Sequence, residues 1–175
     1  MRIVDASAAD LAHVLSVERQ AFGGDDVPNL VAELLADPSA QPLISLLAWN
    51  GERPVGHILF TRVRVAGASR EVSGSILAPL GVVPGAQRTG VGGRLIEHGI
   101  ERLAAAGVEL VFVLGHPSYY PRHGFAPASR LGLAAPYPIS PDEAWMVREL
   151  RPGVLGTARG TVVCADAMSR PEHWT

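Results

Sequence analysis

A chain of 175 residues in which 47% of side chains are hydrophobic can bury one sizeable core, and no break in composition divides it. Fifteen basic against seventeen acidic residues leave a formal charge of -2, which supplies no electrostatic reason to bind nucleic acid or an anionic membrane. Every basic residue is arginine, so only the N-terminal amine is open to lysine-type acetylation, and the single cysteine excludes an internal disulfide. That cysteine, Cys164, lies in the apolar run Thr161–Ala165 and reads as a buried structural thiol. The N-terminus lacks the apolar core of a signal peptide, and no stretch approaches the about 20 apolar residues of a membrane span, so a soluble cytoplasmic protein is expected.

Ile3 and Val4 suggest a short first strand, and Ser7 with Asp10 three residues on forms a capping-box pattern that opens a helix. Leu11, Val14, Leu15, Ala21 and Phe22 share one face of that helix. After the loop Gly23-Gly24-Asp25-Asp26, a second helix is predicted from Pro28 to Ala36, with Leu30, Val31, Leu34 and Leu35 as its apolar stripe and Asp37-Pro38 as its stop. Leu43–Trp49 and Pro54–Val65 read as strands joined by the turn Asn50-Gly51, and Gly67-Ala68-Ser69 leads towards a third strand, Ile76–Val83. The three form an antiparallel meander.

The third strand runs through Gln87-Arg88-Thr89-Gly90-Val91-Gly92-Gly93 into a helix predicted over Val91–Ala106. A strand that turns through glycines into a helix start presents unpaired N–H groups and the positive end of a helix dipole, which makes an anion site. No Gly-Lys-Ser/Thr follows the glycines, so this is not a P-loop, and the third glycine of the dinucleotide fingerprint is missing. Val91, Leu95, Ile96, Ile100 and Leu103 face the sheet, Gly107 ends the helix, and Val108–Leu114 makes a strand buried on both faces. Strand, helix and buried strand in succession predict a parallel crossover with the anion turn at the carboxyl end of its first strand. Beyond Pro127, Pro136, Pro138 and Pro141, Ala144–Leu150 and Gly160–Ala165 are the last strands expected, and the tail Ser169–Thr175 is expected to fray. One domain over 1–175, with its core in 1–127, accounts for the chain. Six histidines without close ligand spacing argue against a metal, and no Gly-x-Ser-x-Gly elbow supports a serine hydrolase.

Val82-Val83-Pro84 followed by Gln87-Arg88-Thr89-Gly90-Val91-Gly92 resembles the central motif of the GNAT superfamily of N-acetyltransferases. Tyr120-Pro121-Arg122-His123-Gly124-Phe125 resembles its Tyr-x-x-x-Gly-Phe segment, and Gly115-His116-Pro117-Ser118-Tyr119-Tyr120 is similar to a bacterial subgroup of predicted acetyltransferases. The resemblance covers most of residues 1–127. It implies an α/β fold with a mixed, mostly antiparallel central sheet, a splayed parallel strand pair and flanking helices, the first two of which flank the acceptor site. It also implies acetyl-CoA as cosubstrate, with its pyrophosphate on Gln87, Arg88, Thr89, Gly90, Val91, Gly92 and Gly93 and its pantetheine arm on the backbone of Leu80, Gly81 and Val82. Tyr120 then corresponds to the general acid that protonates the departing thiolate, and the Val82 N–H to an oxyanion donor. Tyr119 is expected to be the core aromatic.

The base is not specified. Ser73, Gly74, Ser75, Ile76 and Leu77 offer no carboxylate where some relatives carry a glutamate. Glu71 precedes the strand, His57 lies in an apolar run that favours a structural role, and His116, after the buried strand, is the better placed as base or acceptor contact. Trp145, Val147 and Glu149 share a face of a late strand that either contacts acceptor or packs in the core. The implied reaction is direct acetyl transfer to a primary amine of a small molecule or protein. The alternatives are a catalytically silent acyl-CoA-binding sensor and a nucleotide binder using the same turn. A homodimer through an edge strand or the proline-rich region is a further possibility.

Overall fold

The computed structural model describes residues 1–175. The strands β2 (Ile44–Asn50), β3 (Arg53–Ala66) and β4 (Gly74–Val82) form the expected antiparallel meander, and β1 (Arg2–Asp5) pairs antiparallel with β2 at its edge. Gly51, at φ 63°, supplies the left-handed residue that the β2–β3 turn requires. Next come the helix α3 (Val91–Ala105), β5 (Leu110–Leu114), the short β6 (Ala126–Pro127) and β7 (Leu133–Ala134), β8 (Trp145–Glu149) and β9 (Gly160–Val163). The sheet order is β1-β2-β3-β4-β5-β8-β6, with β9 on the far end of β3 and β7 parallel to β9. Within the main path only β4 and β5 run parallel, joined by α3 as the crossover predicts.

Helices α1 (Leu11–Phe22) and α2 (Asp26–Ala36) cover one face of the sheet and α3 the other. A side chain at Gly56 would strike Val91 and Leu95 of α3, whereas one at Gly81, on the neighbouring strand, would strike Glu18 of α1. The α3 stripe is buried as predicted, and Gly99 lets the Phe60 ring lie directly against the helix backbone. The Asp10 carboxylate accepts from the Ser7 N–H at 2.9 Å, but the turn it caps is a single 3₁₀ turn leading into α1. The buried residues of α1 are Val14, Val17 and Glu18, while Leu11 and Phe22, expected inside, are 40% and 51% exposed. Both occupy terminal turns of α1, outside the stretch that lies on the sheet.

β4 and β5 are paired only from Gly74 to Leu77, against Leu110 to Val113. Beyond that, Phe60 faces Leu77 and Ile58 faces Leu80, so Leu59 alone stands opposite both Ala78 and Pro79. This is a β-bulge, which bends its strand, and Pro79 has no N–H to contribute to a ladder. β4 thus leaves β5, and its residues change from buried over 74–77 to half-buried at Ala78, Pro79, Leu80 and Val82. At the opposite end of β4, the Glu109 carboxylate takes two hydrogen bonds from Arg70, at 3.0 and 2.7 Å, and one from the Ser73 N–H at 3.2 Å. The Arg70 guanidinium holds that carboxyl down at about 2.

The tail is docked rather than frayed. Pro171–Trp174 form a 3₁₀ turn, the Trp174 ring meets Trp145 edge-on, and its indole N–H donates to the Met168 carbonyl at 2.8 Å. Trp145 is wholly buried, stacks on Phe112 and donates to the Leu133 carbonyl, so it belongs to the core. Cys164 is half-buried, and burial pushes its thiol up to about 12.

Candidate active site

Gly90 stands at the start of α3 with φ 91°, and Arg88 with φ 63° is the one non-glycine residue in the left-handed region. The first amide of α3 to bond inside the turn is that of Arg94, donating to the Gly90 carbonyl at 3.1 Å. The N–H groups of Val91, Gly92 and Gly93 are therefore free, and no acidic side chain sits in the first turn to neutralise the dipole. The Gln87 amide donates to the Val82 carbonyl at 3.0 Å and the Thr89 hydroxyl to the Ala86 carbonyl. These two side chains brace the turn from within, while Arg88 is exposed.

The same turn adjoins a free strand edge. The Val83 N–H donates to the Val55 carbonyl at 3.0 Å, and His57 stands opposite Gly81 two residues along. Alternation in an antiparallel ladder then turns the backbone groups of Gly81 towards β3 and those of Leu80 and Val82 away from it, into the space vacated by β5. The residues expected to meet a pantetheine arm thus offer backbone donors and acceptors on the open side of β4.

Tyr119 and Tyr120 exchange the environments expected of them. Tyr120 is the more buried, with its ring against Gly115 and edge-on to Tyr119 and Phe125, and burial pushes its phenol pKa well up. Tyr119 is half-buried and lies over the start of α3, its hydroxyl 2.9 Å from where a side-chain carbon on Gly92 would begin. Leu80 and Val82 approach that point to 3.6 and 3.8 Å, so Tyr119 joins the helix start to the open edge of β4. His123 packs beside Gly93, 3.6 Å from the Glu97 carboxylate, while Arg148 donates to its carbonyl at 2.9 Å. His116 is exposed, and its carbonyl accepts from the amides of Tyr119 and Tyr120, so what it demonstrably does is cap the loop. Glu71 is exposed at the far end of β4 beside Arg62, away from the helix start.

Sequence reasoning missed Glu18. Its carboxylate and the side chains of His57 and Ser45 form a chain beneath α1: Glu18 Oε1 lies 2.8 Å from His57 Nδ1, and His57 Nε2 lies 2.9 Å from Ser45 Oγ. Glu18 and His57 are fully buried, and Glu18 Oε2 has no hydrogen-bond partner. Burial pushes the Glu18 carboxyl pKa up, against the opposing pull of His57. A carboxylate at 18, in step with Val14 and Val17 on the buried face, was the available signal.

The β4 bulge, the splay of β4 from β5 and the glycine turn into α3 are met together with a match to known acyltransferases. The family model for an acetyltransferase (GNAT) domain matches residues 2–128, and the chain belongs to that family. It is 49% identical over 162 residues to the uncharacterized N-acetyltransferase YjhQ of Escherichia coli K12, covering 90% of this chain and 88% of the relative. Among solved structures, the Escherichia coli GNAT N-acetyltransferase YhbS in complex with CoA superposes with a TM-score of 0.88 at 26% identity, over 97% of this chain and 92% of that one. A Brucella melitensis GNAT acetyltransferase in complex with acetyl-CoA gives 0.77 at 27% identity, over 95% and 97%. No helix is long and apolar enough to cross a membrane.

Proposed function

We propose that the protein moves an acetyl group from acetyl-CoA to a primary amine, by direct transfer with both substrates bound. The observation that carries this reading is the meeting of three free N–H groups at the start of α3 with the edge of β4 that no strand covers beyond Leu77. The first suits a pyrophosphate and the second an amide-bearing arm. The CoA-bound YhbS and acetyl-CoA-bound Brucella structures support the cosubstrate.

In this reading the N–H groups of Val91, Gly92 and Gly93 hold the anionic end and Arg88 adds charge at the rim. The backbone of Leu80 and Val82 aligns the arm, and the Val82 N–H faces the developing oxyanion. Tyr120 is protonated at neutral pH, so in this reading it is a proton source for the departing thiolate and not a base, although burial makes it a weaker acid. Tyr119, with its hydroxyl at the mouth of the same site, is the competing donor.

The test is a calorimetric titration with acetyl-CoA, CoA and ATP, followed by thiol release with a panel of primary amines. Saturable binding selective for the coenzymes and amine-dependent thiol release are expected. Binding without release from any amine would fit a silent acyl-CoA sensor, and preference for ATP would overturn the reading.

A further inference from the structure

A second concave site lies at the end of β4 farthest from the glycine turn. Phe60 packs on α3 at Gly99, and alternation along β3 puts Arg62 on that same face of the sheet. Ser75 stands directly opposite Arg62 on β4. Because β3 runs on to Ala66 while α3 stops at Ala105, the sheet outreaches the helix and leaves a cavity of about 300 Å³ beside its last turn. Ile44, Leu103 and Val108 wall it, Ser75 lies inside, and Arg62 and Glu71 stand at the rim with side chains 50% and 88% exposed.

Three polar groups of this cavity are uncommitted. Ser75 is 3% exposed, yet its hydroxyl takes part in none of the side-chain hydrogen bonds of the fold. A buried hydroxyl left without a partner costs free energy that a ligand recovers. Arg62 and Glu71 approach each other only to 3.8 Å, beyond hydrogen-bond length, so neither charge is held by the other. Glu109 also lines the cavity, but its carboxylate is taken up by Arg70 and the Ser73 N–H. What remains is one free cation with a hydroxyl beside it, one free anion, and an apolar interior. The carbonyl end of α3, at Ala106, adds to the negative side.

We propose that this cavity binds a free aliphatic α-amino acid as a zwitterion. Its carboxylate accepts from the Arg62 guanidinium and the Ser75 hydroxyl, its ammonium donates to Glu71 near the carbonyl end of α3, and its side chain lies against Ile44, Leu103 and Val108. The volume is at the low end for small-molecule sites, about 300–1,000 Å³, which suits a ligand of this size. Ser75 precedes Leu80 by five residues, roughly 16 Å along a strand, so a molecule here is out of reach of the β4 edge and is not the acetyl acceptor. The site is independent of the acetyltransfer reading.

The experiment is a calorimetric titration of the whole protein with L-leucine, L-valine and L-methionine, with acetyl-CoA affinity and thermal midpoint measured alongside. Comparators are 3-methylbutylamine, which lacks the carboxylate of leucine, 4-methylpentanoate, which lacks its ammonium, and glycine, which lacks the side chain. Saturable binding of at least one aliphatic amino acid is expected, with all three comparators about tenfold weaker or more. Arg62→Ala should weaken amino-acid binding about tenfold or more by removing a charge-assisted hydrogen bond. Ser75→Val, which fills the cavity and removes the hydroxyl, should abolish it, and Ser75→Ala should weaken it without filling the space. Acetyl-CoA affinity should hold in all three variants. No saturable binding up to about 10 mM, well above a millimolar Kd, would overturn the proposal. So would equal binding of either deleted analogue, undiminished binding in folded Arg62→Ala and Ser75→Val, or displacement of the amino acid by acetyl-CoA, which would place it in the other site.

Discussion

The hydroxyl of Tyr119 lies over Gly92, 2.9 Å from the position a β-carbon would take, and so closes the gap between the start of α3 and the open edge of β4. Gly92→Ala must push that hydroxyl aside. Because the displaced group is the end of a side chain, the fold should survive while the mouth of the site changes shape. Acetyl-CoA affinity, measured by calorimetry, is expected to fall about tenfold or more with little change in thermal midpoint.

The two adjacent tyrosines are separable. Tyr120→Phe should lower kcat for thiol release about 10²-fold or more without weakening acetyl-CoA binding, as expected for loss of a positioned acid. Tyr119→Phe should raise KM more than it lowers kcat. The reverse pattern would assign the acid to Tyr119, the tyrosine nearer Gly92.

Gly81→Ala places a methyl group 2.6 Å from Glu18 Oε2 and 2.9 Å from its carboxyl carbon, inside a fully buried site. Relief requires α1 to move or Glu18 to leave His57. A loss of about 1–3 kcal/mol, the usual cost of overpacking, is expected in denaturant unfolding. Glu18→Ala added to Gly81→Ala should recover part of it, which a generic effect of the alanine on β4 would not allow.

Glu109 titrates at about 2 in the fold against an ordinary value of 4.5. Its pKa is depressed, so its contribution is complete above about 4.5 and is lost as pH falls through that value towards 2. Arg70 is half-exposed, which screens the pair, and the contribution is about 1–2 kcal/mol. Glu109→Gln should lower stability at neutral pH by that amount and flatten the acid limb of the stability curve.

Removal of residues 171–175 takes Trp174 away from Trp145 and opens the end of the core. A loss of about 3–5 kcal/mol is expected by analogy with large-to-small core substitutions at aromatic residues, read as a lower unfolding midpoint.

The letters alone were enough for everything carried by local pattern. Alternating and continuous apolar runs gave the meander and β5, and the run from Val82 to Gly93 gave the glycine turn into α3 with its free amides, because helix-start amides and glycine backbone freedom are local properties. The tertiary structure decided what depends on distant partners. Leu11 and Phe22 match an apolar face yet lie beyond the sheet, and Trp174 looks like part of a polar tail until Trp145 meets it. Glu18, His57 and Ser45 are spread over three elements, and only the pairing of β2 with β3 and the packing of α1 across β3 and β4 bring them to hydrogen-bond distance. No spacing rule links residues 18, 45 and 57, because their contact is made by sheet register and helix docking rather than by any repeat along the chain.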